Sequence, residues 1–181
     1  MNLIFRLLWV ALASLRRPRL GPLDESVVRL TVLPTDLDLN GHLNNGRYLT
    51  LMDLGRVDLL LRTGVVGAMR RNRWSGVVAS VTVSFRRALN PFQRYELRTR
   101  LIGWDERWFF MEQRFTRGGD LCAYALVKVQ FAARGRRVAP REMADAVRPG
   151  AESPPLPQAV RDWQDAEDRL VAGREPAPAL A

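Results

Sequence analysis

The residues best suited to chemistry lie in one short segment, Thr35 to Tyr48, which reads TDLDLNGHLNNGRY. It places two aspartates, Asp36 and Asp38, ahead of a pattern that predicts a helix. A carboxylate can attack a carbonyl carbon or activate water toward it. The free N–H groups in the first turn of a helix can stabilise the oxyanion that forms. The segment therefore predicts chemistry at a carbonyl group.

The start of the predicted helix fixes where such an oxyanion would bind. Asn44 or Asn45 is a suitable N-cap, so the free N–H groups are expected near Asn45 and Gly46. Asp38 lies seven residues before Asn45 on a loop that Gly41 makes supple, so it can face the same carbon from the other side. Both roles stay open for Asp38, as nucleophile that forms an acyl anhydride or as general base for water.

The same polar residues also have a structural interpretation. Asp36, Asp38 and Asn40 belong to the residue types that order turns and cap helices through hydrogen bonds to the backbone. His42, the only histidine of the chain, is either a base or a hydrogen-bonding residue that orders the loop.

The elements around this segment follow from hydrophobic periodicity. Val28, Leu30 and Val32 alternate with polar residues and predict a first strand. After the segment comes a helix whose apolar residues nearly encircle it, which predicts burial. Its common face holds Tyr48, Met52, Gly55 and Leu59, it can carry an Asp58–Arg62 pair, and it can end at Gly64. Period-two patterns then predict four antiparallel strands, near residues 77–85, 94–101, 109–115 and 121–131.

The segment resembles the loop-to-helix signature of the 4-hydroxybenzoyl-CoA thioesterase-like group. That signature has D-x-D, then Gly-His-hydrophobic-Asn-Asn, then a Tyr and an acidic residue on the helix, and Tyr48 and Asp53 fill the last two places. Residues 33–62 are also similar to the eukaryotic thioesterase-superfamily member 6 proteins and their bacterial relatives, and we expect a bacterial chain. The resemblance covers residues 25–133 and implies the α+β hotdog fold, an antiparallel sheet wrapped around a long central helix, with extra helices at both ends.

The resemblance also implies an activity, the hydrolysis of acyl-CoA thioesters without a metal or other cofactor. It assigns the catalytic carboxylate to Asp38 and the polarising amide to the backbone of Asn45, and His42 and Tyr48 complete the candidate catalytic set. Candidate substrate-binding residues are Gly46, Asp53, Arg86 and Arg87, the two arginines for the coenzyme A phosphates. The cluster Arg70-Arg71-Arg73 is a second candidate for the phosphates, although solvated surface also explains these arginines.

Alternatives on the same fold are a non-catalytic module that binds acyl thioesters or lipids, and an acyl thioester dehydratase or hydratase. The single histidine argues mildly against the dehydratase. Hotdog domains join sheets edge to edge, so the expected assembly is a homodimer or homotetramer.

The chain is expected to divide into a helix at 1–20, the hotdog domain at 21–139, and a Pro/Ala-rich extension at 140–181 with a short helix. The first 15 residues, MNLIFRLLWVALASL, are shorter than the roughly 20 residues of a spanning helix. Their apolar residues fall at helical spacing, and arginines follow at positions 16, 17 and 19. Three interpretations stay open: docking on the domain or a partner subunit, peripheral membrane contact through residues 1–19, and a cleaved signal peptide.

Composition limits the remaining classes. With 181 residues, of which 47% are hydrophobic, the chain can bury one substantial core. Cys122 is the only cysteine, which rules out an intramolecular disulfide and a zinc cluster built from Cys and His. The net charge of +9 suits nucleic acid, an anionic membrane or coenzyme A phosphates. No zinc finger, RNA-binding aromatic signature or glycine-rich phosphate loop accompanies this charge, so no nucleic-acid partner is expected, and the expected location is the cytoplasm or a membrane surface.

Overall fold

The structure, a computed structural model, describes residues 2–172. Its elements are α1 (Asn2–Leu15), β1 (Ser26–Thr31), a 3₁₀ turn (Pro34–Asp36), α2 (Asn45–Arg62), α3 (Val65–Asn72), β2 (Ser75–Phe85), β3 (Arg94–Trp104), β4 (Phe109–Arg117), β5 (Asp120–Ala133), β6 (Arg136–Val138), α4 (Pro140–Val147) and α5 (Gln158–Ala172).

The strands form one antiparallel sheet in the order β1-β3-β4-β5-β2, with the short β6 paired to β5. Helix α2 packs on one face of this sheet, and the core forms between them from Leu51, Met52 and Leu54 on the helix and Val28, Leu97 and Phe115 on the strands. The predicted α+β hotdog arrangement of one strand, one central helix and four further strands is confirmed.

The face of α2 that the sequence predicts is the buried one. Tyr48, Met52, Gly55 and Leu59 are all buried. At Gly55 the helix comes close to the sheet, and a Cβ there would collide with Thr99 Oγ1 and lie 3.1 Å from Gln113 Nε2. Glycine at this position therefore sets how closely the helix approaches the sheet.

Helix α1 docks on the domain through a buried polar contact. Ser14 Oγ donates to Asp58 Oδ1 at 2.6 Å, and Ser26 Oγ donates to Asp58 Oδ2 at 2.7 Å. Arg17 lies 3.2 Å from the same carboxylate, and Arg62 forms the predicted pair at 3.0 Å. Burial alone would raise the pKa of Asp58, but these hydrogen bonds outweigh it and lower the pKa. Asp58 therefore joins α1, β1 and α2 as an ionised group.

The two edges of the sheet differ. At the β1 edge, guanidinium groups near α1 donate to backbone carbonyls, Arg6 to Thr31 O at 3.0 Å and Arg17 to Val27 O at 3.4 Å. Strand β2 forms the other edge and is largely exposed, with Val77 at 54% and Phe85 at 45%. Within residues 2–172, β2 pairs only with β5, so its outer edge offers free backbone groups.

Two helical features differ from the prediction. Helix α2 ends at Arg62, close to the predicted stop at Gly64, but an unpredicted helix, α3, begins directly after Gly64, whose φ of 85° redirects the chain. The extension beyond residue 139 holds two helices rather than one, α4 and α5. Helix α5 packs on the outer face of the sheet, where Val160 contacts the cluster of Phe110 and Leu126, and Glu167 pairs with Lys128. Elements of eight residues give too few repeats for periodicity to identify them.

We predict that Gly55→Ala destabilises the protein by about 1 to 3 kcal/mol, because the added methyl group overpacks the contact between helix and sheet. Helix propensity alone would make alanine stabilising by about 1 kcal/mol. The sign of the change in the free energy of unfolding therefore separates overpacking from helix propensity. Urea unfolding measures the change. Gly67→Ala in α3, where the nearest atom is the flexible end of Arg71, is the matched control and should be neutral or stabilising. Equal stability of Gly55→Ala and wild type would contradict the close approach.

We predict that Asp58→Asn destabilises the protein by about 3 to 5 kcal/mol at pH 7, because the arginines around it lose a buried counter-charge. The folded-state pKa of Asp58 is lowered, so its contribution is fully present above the unfolded pKa of about 3.9 and is lost as the pH falls through the folded pKa. The difference between variant and wild type in the free energy of unfolding should therefore shrink below about pH 4. A difference that stays constant from pH 7 to pH 3 would show that the charge of Asp58 is not what holds α1.

Candidate functional site

The two aspartates of the signature differ in burial and in their partners. Asp36 is fully buried and lies 2.8 Å from Arg6 Nη2 and 2.9 Å from Arg47 Nη2. Its Oδ2 also accepts the Leu33 N–H at 3.0 Å. Two arginines and a backbone donor surround this carboxylate, so Asp36 has a structural role.

Asp38 lies on a small hairpin that leads to α2. Its Oδ1 accepts the N–H of Asn40 at 2.9 Å and that of His42 at 3.2 Å, and its own N–H donates to His42 O at 2.9 Å. Gly41, at φ 74°, makes the turn. Neither of the two side-chain hydrogen bonds involves Oδ2. The loop thus holds Asp38 by one oxygen, and its side chain is partly accessible.

The start of α2 leaves one backbone donor for a ligand. Asn44 is the N-cap, and its Oδ1 accepts the Gly46 N–H at 2.8 Å. The Arg47 N–H donates to Asn44 O at 2.9 Å. In the described part of the chain, the Asn45 N–H has no such acceptor. The prediction of free donors near Asn45 and Gly46 therefore narrows to Asn45, and the positive end of the helix dipole supports an anion there.

An open groove of about 630 Å³ runs between α2 and the edge strand β2. Most of its lining residues are apolar or glycine, and four residues from the helix add polar side chains. Its lining residues are Asn45, Gly46, Leu49, Thr50, Asp53, Arg56, Val78, Val81, Val83 and Phe85. Because it begins at the Asn45 amide, an acyl group whose carbonyl binds there can extend along the groove.

A fixed pair of charges lies along this groove. Arg56 Nη2 donates to Asp53 Oδ1, and Arg56 Nη1 donates to Gln113 Oε1 at 2.8 Å. Gln113 is buried and in turn donates to Met52 O at 2.9 Å. The sequence interpretation included Asp53 and missed Arg56, although the i, i+3 spacing of the two on a helix was the signal that could have found it.

The structure brings only part of the predicted set together. Asn45, Gly46 and Asp53 line the groove. Asp38 and His42 lie on the hairpin just before the helix and are not among the groove's lining residues.

The other predicted residues lie behind or beside the groove. Tyr48, expected in the catalytic set, is 2% exposed and stacks edge-on with Phe85 and Phe115 at ring-centroid distances of 5.1 and 4.8 Å. Burial, followed by the neighbouring Cys122 thiol, raises the pKa of Tyr48 to about 12. The structure thus gives Tyr48 a packing role, because its ring fills the core beneath the groove. Arg86 and Arg87 directly follow Phe85 and are exposed, and Arg87 pairs with Asp120 at 2.7 Å.

A second cavity lies at the far end of α2. Leu59 and Leu60 line it together with Phe109, Phe131 and Met143. No titratable side chain lines it, so it offers no acid, base or nucleophile.

A curved antiparallel sheet packed on a central helix, with a groove that begins at the first turn of that helix, defines a hotdog domain. Residues 32–164 match the model of the thioesterase-like superfamily, and the chain belongs to this family.

Similar proteins extend this assignment. Protein THEM6 of Danio rerio is 40% identical over 114 residues, which cover 62% of this chain and 56% of that protein. Protein THEM6 of Xenopus laevis is 35% identical over 133 residues, 73% of this chain and 63% of that protein. This chain thus spans little more than half the length of these relatives. Both relatives are vertebrate proteins, so they do not support the expected bacterial origin.

Among solved structures, a thioesterase complexed with coenzyme A and Zn from Thermus thermophilus superposes with a TM-score of 0.58. It is 26% identical, and the match covers 67% of this chain and 96% of that one. Within residues 2–172 of this chain, no group of three or more His, Cys, Asp or Glu side chains is arranged to hold a metal ion. The expectation that no metal or cofactor is needed stays a prediction.

Proposed function

We propose that the protein hydrolyses acyl thioesters, with acyl-CoA as the substrate class, to a free acid and a thiol. One observation carries this proposal, the Asn45 N–H that lies free at the start of an apolar groove, one short hairpin away from the Asp38 carboxylate. The membership of this chain in the thioesterase-like superfamily supports the same reaction.

In the proposed reaction the thioester carbonyl oxygen accepts a hydrogen bond from the Asn45 N–H, which stabilises the negative charge as it develops. As general base, Asp38 takes a proton from water, and the oxygen of that water adds to the carbonyl carbon. The tetrahedral intermediate then collapses, the carbon–sulfur bond breaks, and the thiolate takes the proton back from Asp38. As nucleophile, Asp38 would instead attack the carbonyl carbon and displace the thiolate as the carbon–sulfur bond breaks. Water would then hydrolyse the resulting acyl anhydride to the free acid and the Asp38 carboxylate, and the thiolate takes up the proton that this step releases. His42 then orders the hairpin through its backbone, as its two bonds to Asp38 suggest.

We also propose how the groove divides the substrate. The acyl group lies against Leu49, Val81 and Val83, and the Asp53–Arg56 pair lies farther along the same wall. Arg86 and Arg87 follow Phe85 at the end of β2. The Phe85 ring contacts Tyr48, which lies near the start of α2. That position suits the phosphates of coenzyme A, since the thiol end must leave the groove near Asn45. The Thermus thermophilus thioesterase with bound coenzyme A supports this substrate class.

A homodimer joined through β2, alone or as half of a tetramer, completes the proposed site. The outer edge of β2 is the unprotected edge of the sheet, whereas Arg6 of α1 and Arg17, just after α1, bind the edge of β1. Val77, Val78 and Phe85 are each 41% to 54% exposed, and pairing with a second copy would bury them. The open side of the groove lies along the same strand, so the second subunit would enclose it.

The principal alternative is a non-catalytic module that binds acyl thioesters. The two bonds to Asp38 Oδ1 favour this alternative, because they show that the carboxylate also orders the loop. Turnover separates the two functions.

We predict that Asp38→Asn lowers thiol release from acyl-CoA substrates by at least about 100-fold, because an amide is neither a base nor a nucleophile. The melting temperature should equal that of wild type, since the asparagine Oδ1 can accept the same two backbone hydrogen bonds. The assay measures free thiol from a panel of short, medium, long and aromatic acyl-CoAs.

The matched control is Asp105→Asn. Asp105 Oδ1 accepts two backbone N–H groups, from Arg107 and Trp108, in a loop away from the groove, so this variant should keep full activity. Normal turnover by Asp38→Asn would exclude Asp38 as the catalytic group. If wild type binds acyl-CoA but cleaves no acyl-CoA or acyl carrier protein thioester, the protein is a non-catalytic module that binds acyl thioesters.

We predict that Val77→Lys dissociates the dimer to monomers in light scattering and lowers turnover, because it places a charge at each copy's β2 edge. Val171→Lys, at a valine on α5 that is 68% exposed against 54% for Val77, should change neither property. A wild-type protein that is monomeric at all concentrations, or a Val77→Lys dimer, would contradict assembly through β2.

A further inference from the structure

Helix α1 has two apolar faces, and only one of them is used by the domain. On the inner face, Val10 and Ser14 are 1% and 3% exposed, and Leu3 and Leu7 pack against the core. The expected docking of this helix is thus confirmed. The outer face remains exposed by 55% to 73%, and its residues are Ile4, Phe5, Leu8, Trp9, Leu12 and Leu15. Such a continuous apolar face indicates a binding surface.

Positive charge surrounds this outer face. Arg16 and Arg19 directly follow the helix and are exposed. On the other side, Trp9 lines an open groove with three arginines, Arg29, Arg94 and Arg117. Arg29 pairs with Glu96, the acidic residue of this groove, at 3.2 Å. Arg94 and Arg117 form no ion pair with any residue between 2 and 172, so their charge is available to an anionic partner.

The orientation of the helix is fixed by its inner contacts. Ser14 and Arg17 bind Asp58 at one end, and Arg6 binds Asp36 at the other. The apolar stripe therefore faces outward without any need for the helix to detach or refold.

We propose that this outer face of α1 binds in the plane of an anionic lipid bilayer, with the surrounding arginines on the lipid phosphates. At 14 residues the helix is about 21 Å long, shorter than a hydrocarbon core of about 30 Å, and so suits binding along the surface. In the part of the chain that the structure covers, no helix is long and apolar enough to cross a membrane. Aromatic side chains and arginines beside an apolar stripe are the composition of helices that bind at this interface.

A second copy of the chain fits this face less well. A symmetric contact places the same surface on both subunits, so the arginine rims of the two copies would meet as like charges. Anionic headgroups supply the opposite charge instead. The proposal is independent of thioester hydrolysis, and its test does not rely on turnover.

The experiment is co-sedimentation of the full chain with phosphatidylcholine vesicles, with and without phosphatidylglycerol. Wild type should bind the anionic vesicles and be released by high salt, because its arginines contribute through screened electrostatics. The variant Leu8→Ser/Trp9→Ser/Leu12→Ser should lose on the order of tenfold in bound fraction, since it removes apolar area from the inserted face. These side chains are exposed, so the melting temperature should hold.

The control is Leu170→Ser/Val171→Ser, which removes two apolar residues that are 73% and 68% exposed on α5 and should bind as wild type does. A second variant, Arg94→Gln/Arg117→Gln, leaves α1 intact and should weaken binding to the anionic vesicles only. Absence of wild-type binding to anionic vesicles would overturn the proposal. Equal binding by the outer-face variant would do so too, and a simultaneous drop in its mass in light scattering would assign the face to a second copy.

Discussion

The buried carboxylate of Asp36 is the constraint on which the geometry of the site depends. It carries a full charge out of water, and Arg6 from α1 and Arg47 from α2 are its counter-charges. Removing one partner from a buried ion pair costs about 3 to 5 kcal/mol. Moving either helix away from this loop would therefore strongly destabilise the fold. The backbone oxygen of Asp36 also accepts the N–H of Asn44, the N-cap of α2. The start of the central helix, and with it the free amide, is therefore held against the loop that carries Asp38.

Two carboxylates separated by one residue thus divide two tasks between them. Asp36 ends the 3₁₀ turn and has a buried side chain, whereas Asp38, two residues later, lies in the hairpin and has a partly accessible one. Asp58 repeats the structural task at the other end of α1, where Ser14 and Arg17 bind it. An enzyme of this type needs a rigid frame around a reactive group, because misplacement by about 1 Å can cost 100-fold in rate. Here charges that take no part in the proposed reaction supply that frame.

Local pattern predicted the features that depend on neighbouring residues. The buried face of α2, a cap at Asn44 or Asn45 and the succession of strands all follow from periodicity or from contacts within four residues. The difference in burial between Asp36 and Asp38 does not follow from local pattern. It depends on the ion pair of Asp36 with Arg6, thirty positions earlier in the chain. The signature also grouped Tyr48 with the reactive residues, and the structure places it in the core. A motif records which residues accompany a function, and contacts decide which of them can touch a substrate.

The edges of the sheet explain why the groove lies where it does. A sheet that wraps one helix keeps two edges, and at the β1 edge Arg6 of α1 binds the Thr31 carbonyl and Arg17, just after α1, binds the Val27 carbonyl. The edge at β2 has no such cover in the described chain, and the first turn of α2 opens toward it at Asn45. Covering this edge with a helix of the same chain would close the groove to substrate. An unprotected edge is a liability in a monomer, but it keeps the start of the helix accessible while the inner face of α2 is buried.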